Sequence, residues 1–266
     1  MIIKTLVNGE PAGTIPVDDR GFMYGDMVFE TMLSDGQKIP LWDWHWARLM
    51  SACHEMGFNP PEEELCLDEV RCLIDGSVSI IKLMVTRGSS QTGYWLPKTV
   101  QMRRIVEMRP RPASVIRQRQ AGLCIGTGEL RLPSAGPLAG IKHGGRVMQV
   151  LLAQECQQRG LDELLVCRED DLVAEAIACN VLAVIDDVLV TPVAPDVSGV
   201  GLRWLAAQGV DITTRPVRLS EMRDATELIL INSVSGIRSV VRWDERVMTI
   251  GSYGQELQTL WSAQLP

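Results

Sequence analysis

The sequence lacks the features by which disulfide-rich, zinc-binding and membrane-spanning proteins are recognised. Its seven cysteines are odd in number, irregularly spaced and without a CxxC pair, which argues against a disulfide framework or a zinc site. No apolar run reaches the roughly 20 residues that a membrane-spanning helix needs. We therefore expect free thiols in a reducing compartment, no bound metal and no membrane partner.

Positive charge is also scarce. Lysine and arginine together number 26 against 33 aspartate and glutamate residues, so the net charge is −7. A protein that holds nucleic acid through phosphate contacts needs a basic face, and we expect no nucleic-acid partner. The N-terminal stretch MIIKTLVNGEPAG has no apolar core of the kind found in signal peptides, which favours a cytoplasmic protein.

What the sequence does contain is enough apolar material for a sizeable core. Its 266 residues are 46% apolar and 22% charged, a composition typical of one large or two modest globular domains. The segment 108–122 has two prolines and four arginines and is the best candidate for a domain boundary. We predict an α/β (α+β) protein with an N-terminal domain at 1–108, a linker at 109–122 and a C-terminal domain at 123–266.

Periodicity and turn residues predict the individual elements. Asn8-Gly9 follows a β-rich segment and predicts a hairpin, and Asp35-Gly36 between 29–33 and 38–41 predicts a second one. Amphipathic spacing predicts helices at 43–56, 62–74 and 200–207, and one from 147 that ends at Gly160. The remaining predicted strands are 79–87, 99–107, 123–126, 163–167, 176–185, 188–191 and 227–232.

Lys142 stands in LAGIKHGGRVMQV, just ahead of an apolar helical pattern. A lysine at such a junction is most often a solvated surface residue. The residues before it, 136–141, are small or apolar, so a dry pocket that lowers the pKa of the amine is the competing interpretation. An amine of that kind can attack a carbonyl and hold it as a Schiff base.

Two turns and a carboxylate carry further signals. SGVGLR at 198–203 opens a helix with glycines, as phosphate-binding turns do, although many helices begin in this way. INSVSG at 231–236 is a turn that also suits an anion. Glu175 lies in the apolar stretch LVAEAIACN and needs a partner, either a structural ion pair or a cationic ring nitrogen such as that of pyridoxal phosphate (PLP). Lysine, phosphate turn and buried carboxylate together suggest a PLP enzyme.

Seven motifs then resemble one family in its own order along nearly the whole chain. DRGFMYGDMVFET at 19–31 is similar to the N-terminal signature of the fold-type IV PLP enzymes, which include branched-chain and D-amino-acid aminotransferases and 4-amino-4-deoxychorismate lyase. The other six motifs are WARL at 46–49, TRG with GY at 86–94, LAGIKH at 138–143, E-x4-N at 175–180, GVG at 199–201 and NSVSGI at 232–237.

The resemblance implies roles for particular residues and a fold. It implies an N-terminal α/β domain, a C-terminal α/β barrel-like domain, PLP between them and a homodimer. Catalytic roles fall to Lys142 and Thr31. Arg48 and Ser233 are implied in phosphate binding, and Glu175 in contact with the pyridine nitrogen. The full set of implied cofactor contacts is Arg48, Lys142, Glu175, Asn180, Gly199, Val200, Gly201 and Ser233. The implied substrate contacts are Tyr24, Arg87, Tyr94 and His143.

The form of the lysine segment is that of the lyases, and the aliphatic Val147 stands where aminotransferases often have tyrosine. The resemblance therefore implies a lyase that releases 4-aminobenzoate and pyruvate from a small-molecule substrate for folate synthesis.

Three departures weaken the match to that substrate. Leu33, Thr92 and Ser235 stand where the lyases often carry arginine. Each lost charge-assisted pair with a substrate carboxylate costs about 1.5–3 kcal/mol. Arg20, Arg87, Lys82 or His143 could compensate. An aminotransferase and a catalytically silent PLP-binding homologue remain the alternatives.

Overall fold

The computed structural model describes residues 4–96, 98–133, 136–193 and 197–266. The chain divides into two compact units, which we call the first and the second unit. The first unit consists of Met1–Arg111, Ile141–Gly145 and Pro266, and the second of Pro112–Gly140 and Arg146–Leu265. The five residues around Lys142 therefore belong to the first unit, although the chain on both sides of them belongs to the second.

The first unit is built from five strands and three helices. Their bounds are β1 Lys4–Val7, β2 Glu10–Pro11, α1 Arg20–Tyr24, β3 Met27–Ser34, α2 Trp42–Glu55, α3 Glu63–Leu73, β4 Ser79–Thr86 and β5 Arg103–Pro110. The strands form one sheet in the order β2-β1-β5-β4-β3, with every neighbouring pair antiparallel. This order makes β3 an outer strand of the five.

Alternation along β3 decides which of its side chains can take part in chemistry. Successive residues of a strand point to opposite faces. Val28, Glu30 and Met32 are buried on one face, where α2 contributes Leu49 to the same core. Phe29 and Thr31 lie on the other face and are half-buried. A carboxylate, Glu30, is thus placed among apolar core residues.

The second unit is built around a larger curled sheet. Its elements are α4 Ser114–Ala121, β6 Leu123–Thr127, α5 Val147–Gln158, β7 Glu163–Cys167, β8 Val173–Ala176, β9 Asn180–Ile185, β10 Val188–Pro192, α6 Val200–Ala207, β11 Thr213–Arg215, α7 Leu219–Met222, β12 Glu227–Asn232, β13 Gly236–Trp243, β14 Arg246–Val247 and α8 Ser252–Gln264. The strand order is β11-β10-β9-β12-β13-β6-β7-β8, with β14 beside β13.

The sheet of the second unit is mixed and closes back towards itself. Strand β6 pairs in parallel with β7 and with β13, whereas β9, β12 and β13 pair antiparallel in sequence. Strand β8 at one end of the order also contacts β9 and β10. This curling confirms the predicted α/β class and the barrel-like second half. Within 109–122, predicted to be a linker, the chain forms helix α4 and changes unit between Arg111 and Pro112.

Most of the predicted helices and turns are confirmed. Helices α2, α3, α5 and α6 match the predicted ranges to within two residues, and Gly57 and Gly160 follow α2 and α5 with positive φ. The Asn8-Gly9 hairpin is present, with its return strand at 10–11. None of the helices in the described part of the chain has the length and hydropathy to cross a membrane.

Two local predictions were wrong. Residues 38–41 form no strand: Asp35 Oδ1 accepts hydrogen bonds from the backbone N–H groups of Gln37 and Lys38, and the turn leads into α2. The predicted strand 176–185 is two strands, β8 and β9, because Ala176 N–H bonds to Cys179 O at 2.7 Å and reverses the chain. Both strands are buried throughout, so no alternation of polarity marked the turn.

Candidate active site

Lys142 is held by main-chain hydrogen bonds to β3. Phe29 N–H donates to Lys142 O at 2.9 Å, and Gly144 N–H donates to Met27 O at 2.9 Å. Ile141 is buried in the core of the first unit. The segment 141–145 therefore extends the sheet along the open edge of β3, and the lysine backbone has a fixed position. This arrangement favours a built site over the solvated surface lysine.

The amine of Lys142 lies against an aromatic ring. Its Nζ is 4.6 Å from the ring centre of Phe29, and Lys82 Nζ is 4.9 Å from the same centre. Both distances are in the range of cation–π interaction. Since each ammonium is within about 5 Å of one ring centre, the two lie within about 10 Å of each other. Thr31 shares the face of β3 on which Phe29 lies.

On the covered face of β3, Glu30 binds two side chains of α2. Arg48 Nε and Nη2 donate to Glu30 Oε1 and Oε2 at 2.8 and 2.6 Å, and His45 Nδ1 is 2.6 Å from Oε2. Burial opposes the charge of Glu30, but the charge and hydrogen bonds of Arg48, helped by His45, lower the pKa of the carboxyl to about 2. Glu30 is therefore ionised at neutral pH, and it fixes the plane of the Arg48 guanidinium.

His45 is neutral in this cluster. Burial lowers its pKa despite the hydrogen bond to Glu30, and the charges of Arg48 and Lys142 act in the same direction as burial. Because ionised Glu30 accepts, Nδ1 carries the proton and Nε2 is an acceptor. Among the described residues Nε2 has no hydrogen-bond partner. Neither Glu30 nor His45 was predicted from the sequence; a carboxylate at a buried position of an alternating strand was the available signal.

Arg87 and His143, two of the predicted substrate contacts, both bind groups of the protein itself. Arg87 Nε binds Asp26, while Nη1 and Nη2 bind the carbonyls of Gly57 and Met56. The side chain is 5% exposed, so its geometry favours a structural role. His143 is half-buried and accepts a hydrogen bond from Gly145 N–H at Nδ1.

The two predicted tyrosines lie at the surface of the first unit. The rings of Tyr24 and Tyr94 are 5.2 Å apart, and Tyr94 is 86% exposed. Arg20 lies over the Tyr24 ring and donates to Gly93 O, while its Nε binds Asp26. The Arg20 guanidinium thus holds the loop that contains Gly93 and Tyr94, and it is already paired with Asp26.

In the second unit, Glu175 and Asn180 hold one turn from two sides. Glu175 is buried in β8 and accepts a hydrogen bond from Val197 N–H at 3.2 Å, while Asn180 Nδ2 donates to Val197 O at 3.0 Å. The backbone of Gly199 lies so close to Asn180 that a Cβ there would overlap Oδ1. The N-cap residue of α6 is Gly199, which has no side chain to cap the helix, and the backbone N–H groups at such a helix start suit an anion.

The turn at 232–236 lies at the same edge of the sheet. Asn180 opens β9 and pairs with Ile231, the residue before Asn232. Asn232 Oδ1 accepts from Val234 N–H at 3.0 Å and from Ser235 N–H at 2.6 Å, so the side chain folds the turn around Ser233. The second unit thus brings together five sequence motif residues: Glu175, Asn180, Gly199, Gly201 and Ser233.

A comparison with family models matches residues 27–243 to the amino-transferase class IV family. The chain belongs to this family. Its members are PLP-dependent enzymes, which confirms the predicted family and cofactor. Each unit carries groups that suit that cofactor: the first unit has a lysine with a fixed backbone, and the second unit has a buried carboxylate and a glycine-led helix start beside a hydroxyl-bearing turn.

Individual members of the class IV family, two lyases among them, are similar to this chain over most of its length. The crystal structure of 4-amino-4-deoxychorismate lyase from Pseudomonas aeruginosa is 33% identical, covers 98% of this chain and 99% of its own, and superposes with a TM-score of 0.89. Aminodeoxychorismate lyase from Vibrio harveyi is 27% identical over 88% of this chain and 89% of its own. A hypothetical aminotransferase from Mycobacterium tuberculosis in PLP-bound form, 20% identical over 98% of each chain with a TM-score of 0.85, shares the fold.

The low pKa of Glu30 predicts an acid-sensitive contribution to stability. A carboxyl whose pKa is lowered by folding stabilises the protein above its unfolded pKa of 4.5 and loses this effect as the pH falls towards 2. We expect Glu30→Gln to lower the free energy of unfolding by about 3 kcal/mol at pH 7, because Arg48 loses its partner. This difference from the wild type should shrink as the pH falls from 4.5.

Urea unfolding at several pH values between 3 and 7 measures that difference. Glu64→Gln is the control. The exposed Glu64 carboxylate pairs with Arg71 at the surface, at 3.7 Å, so this substitution should change the free energy of unfolding little at any pH. A Glu30→Gln deficit that stays constant down to pH 3 would contradict the prediction.

Proposed function

We propose that this class IV protein is a PLP-dependent 4-amino-4-deoxychorismate lyase that releases 4-aminobenzoate and pyruvate. The observation that carries the proposal is the pairing of the Lys142 segment with β3, which holds the amine on Phe29, two residues from the hydroxyl of Thr31 on the same face of the strand. The 33% identical lyase of Pseudomonas aeruginosa supports it over 98% of the chain.

We assign the cofactor contacts residue by residue. Lys142 is the covalent attachment point, and Glu175 faces the pyridine nitrogen, supported by Asn180. The phosphate is bound by the start of α6 at Gly199, Val200 and Gly201 and by Ser233, with Arg48 as its cationic contact. Because Nε and Nη2 of Arg48 bind Glu30, the carboxylate presents this arginine in one orientation. PLP, when bound, supplies an electron sink that makes the hydrogen beside the substrate nitrogen acidic.

The reaction requires one proton to be removed and one to be delivered. The Lys142 amine takes the proton from the ring carbon that carries the amino group. The bond between the ring and the enolpyruvyl oxygen breaks, and the ring becomes aromatic. The Thr31 hydroxyl then assists proton transfer to the leaving enolate, which becomes pyruvate. Substrate and products balance without any further reactant.

The substrate carries two carboxylates, and the described residues offer few cations for them. Arg20 and Arg87 are both tied to Asp26. The ammonium of Lys82, by contrast, makes no ion pair in the described ranges and shares the Phe29 ring with Lys142. Burial lowers its pKa, as does the charge of Arg109, against the opposing effect of Glu107. Lys82 is the cation that we assign to a substrate carboxylate.

An aminotransferase is the second candidate. The observation that favours it is the nature of the residues at the three positions without arginine: Leu33 is buried, Thr92 bonds to Trp95 O, and Ser235 is buried in its turn. None of them carries the positive charge that forms an ion pair with a carboxylate. A PLP-binding homologue without activity would share the same residues and would turn over neither kind of substrate.

We also propose a cytoplasmic homodimer that serves folate synthesis through 4-aminobenzoate. The first unit exposes Phe22, Tyr94 and Trp95 to more than two thirds of their area, and α5 exposes Val147 and Val150. Large apolar side chains that are exposed in this way are candidates for a subunit interface. Light scattering coupled to size-exclusion chromatography measures the mass of the assembly against the 29.4 kDa chain.

Absorption spectra with and without Lys142 test the lyase. With added PLP, the wild type should develop the long-wavelength band of covalently bound cofactor and release 4-aminobenzoate and pyruvate from aminodeoxychorismate. Lys142→Ala should show neither, because the covalent bond to the cofactor is assigned to the Lys142 amine. Lys38→Ala, an exposed lysine in the turn before α2, is the matched control and should behave as the wild type.

Other outcomes separate the candidates. Amino exchange with 2-oxoglutarate and no release of pyruvate would replace the lyase with the aminotransferase. A band with neither activity would leave the silent homologue. A band that survives in Lys142→Ala would overturn the attachment point.

The backbone of Gly199 lies so close to Asn180 that any side chain at position 199 should disturb the turn before α6, which is assigned to the phosphate. In Gly199→Ala the new Cβ would overlap Asn180 Oδ1, so the turn must shift. We expect the affinity for PLP to fall about tenfold or more, which corresponds to at least one lost hydrogen bond. Gly13→Ala is the control, because no atom lies within 4 Å of the added methyl group. Equal affinities in the two variants would exclude the assigned turn.

A further inference from the structure

We propose that Cys179 is a positioning residue for the phosphate turn at 232–236, acting through Asn232. The inference rests on the proposed function, because that turn is assigned there to the PLP phosphate. It adds a residue that is assigned no cofactor contact and that stands at an unspecified position of the E-x4-N motif at 175–180. Cys179 and Asn180 are consecutive, and each would then support one of the two turns that bind the phosphate.

Asn180 supports the turn at the start of α6. Its amide donates to Val197 O and packs closely against Gly199. Cys179 points to the other turn: its Sγ accepts a hydrogen bond from Asn232 Nδ2 at 3.1 Å. The second N–H of that amide donates to Ala178 O at 3.0 Å. With both N–H groups held, the amide oxygen of Asn232 is directed at the N–H groups of Val234 and Ser235.

The sulfur is itself held by a buried arginine and a buried glutamate. Arg238 Nη2 donates to Cys179 Sγ at 2.9 Å, and Glu163 Oε2 lies 3.7 Å from Sγ on another side. Cys179, Arg238 and Glu163 are all buried. The sulfur is thus a hydrogen-bond partner of both Arg238 and Glu163.

The protonation states suit this arrangement. Burial raises the pKa of the Cys179 thiol to about 12, so the group keeps its hydrogen at neutral pH and can donate it to Glu163. Two N–H groups then approach the lone pairs of the sulfur. Glu163 is anchored in turn, since its Oε1 accepts from Ile177 N–H at 3.0 Å. Cys179 therefore joins β7, β12 and β13 through its sulfur atom.

Removing the sulfur should loosen the phosphate turn and leave the pyridine contact intact. Asn232 would keep a single acceptor, Ala178 O, and its amide could rotate away from Val234 and Ser235. Glu175, which is assigned to the pyridine nitrogen, is held by the backbone N–H of Val197. The affinity for PLP should therefore suffer more than the affinity for pyridoxal, which lacks the phosphate.

The test is a titration of full-length, cofactor-depleted protein with PLP and separately with pyridoxal, followed by absorbance. For Cys179→Ala we expect the dissociation constant for PLP to rise about tenfold, the effect of one lost hydrogen bond, and that for pyridoxal to change less than about twofold. Cys179→Ser, which restores a donor and an acceptor, should recover PLP affinity to within about threefold of the wild type. Cys167→Ala is the matched control, a fully buried cysteine of the same core.

The outcomes are distinguishable. Unchanged PLP affinity in Cys179→Ala, or an equal loss for PLP and pyridoxal, overturns the inference. A wild type that binds no PLP would instead contradict the proposed function. If Cys179→Ala does not fold, Cys179→Val decides: it keeps the buried volume but removes the acceptor of the Asn232 amide, so it should weaken PLP binding more than pyridoxal binding, and an equal change for both ligands contradicts the role.

Discussion

The pairing of residues 141–145 with the open edge of β3 is the constraint on which the active site depends. Two main-chain hydrogen bonds join segments more than 100 positions apart, and they fix Lys142 without any demand on its side chain. Strand alternation then sorts the neighbours of the lysine. Phe29 and Thr31 share the face with its amine, whereas Glu30 faces α2. One register therefore sets the positions of Lys142 and Thr31, the proposed nucleophile and proton donor, and of a buried carboxylate.

Buried polar groups organise the rest of the chemistry. A carboxylate or amide taken out of water needs partners, and each partner here is a backbone turn or a cation that the site requires. Glu30 orients Arg48, Glu175 and Asn180 hold the turn before α6, and Asn232 folds the turn around Ser233. The same groups that satisfy the core thus shape the surface that meets the cofactor. This coupling explains why the glycine at 199 tolerates no side chain.

Membership of the class IV family determines the chemistry available to the protein but not its substrate. The lysine, the carboxylate and the phosphate turns serve any amino substrate, because they act on the cofactor. Discrimination between a lyase and an aminotransferase depends on which cations meet the substrate carboxylates. Arg20 and Arg87 are occupied by Asp26, so the choice narrows to groups such as Lys82 beside the Phe29 ring.

The sequence by itself determined the order of the motifs, the helices that end at Gly57 and Gly160, and the alternation of β3. Each of these follows from residues that are close together in the sequence, through hydrophobic periodicity and turn-forming residues. The sequence predicted the cofactor through the order of the motifs. Only the tertiary structure decided that 176–185 is two strands, since a run buried on both faces carries no periodic signal. The partners of Glu30 and the sulfur contact between Cys179 and Asn232 were likewise invisible in the sequence. They join residues that are 15 to 53 positions apart, and only the packing of whole elements brings such residues together.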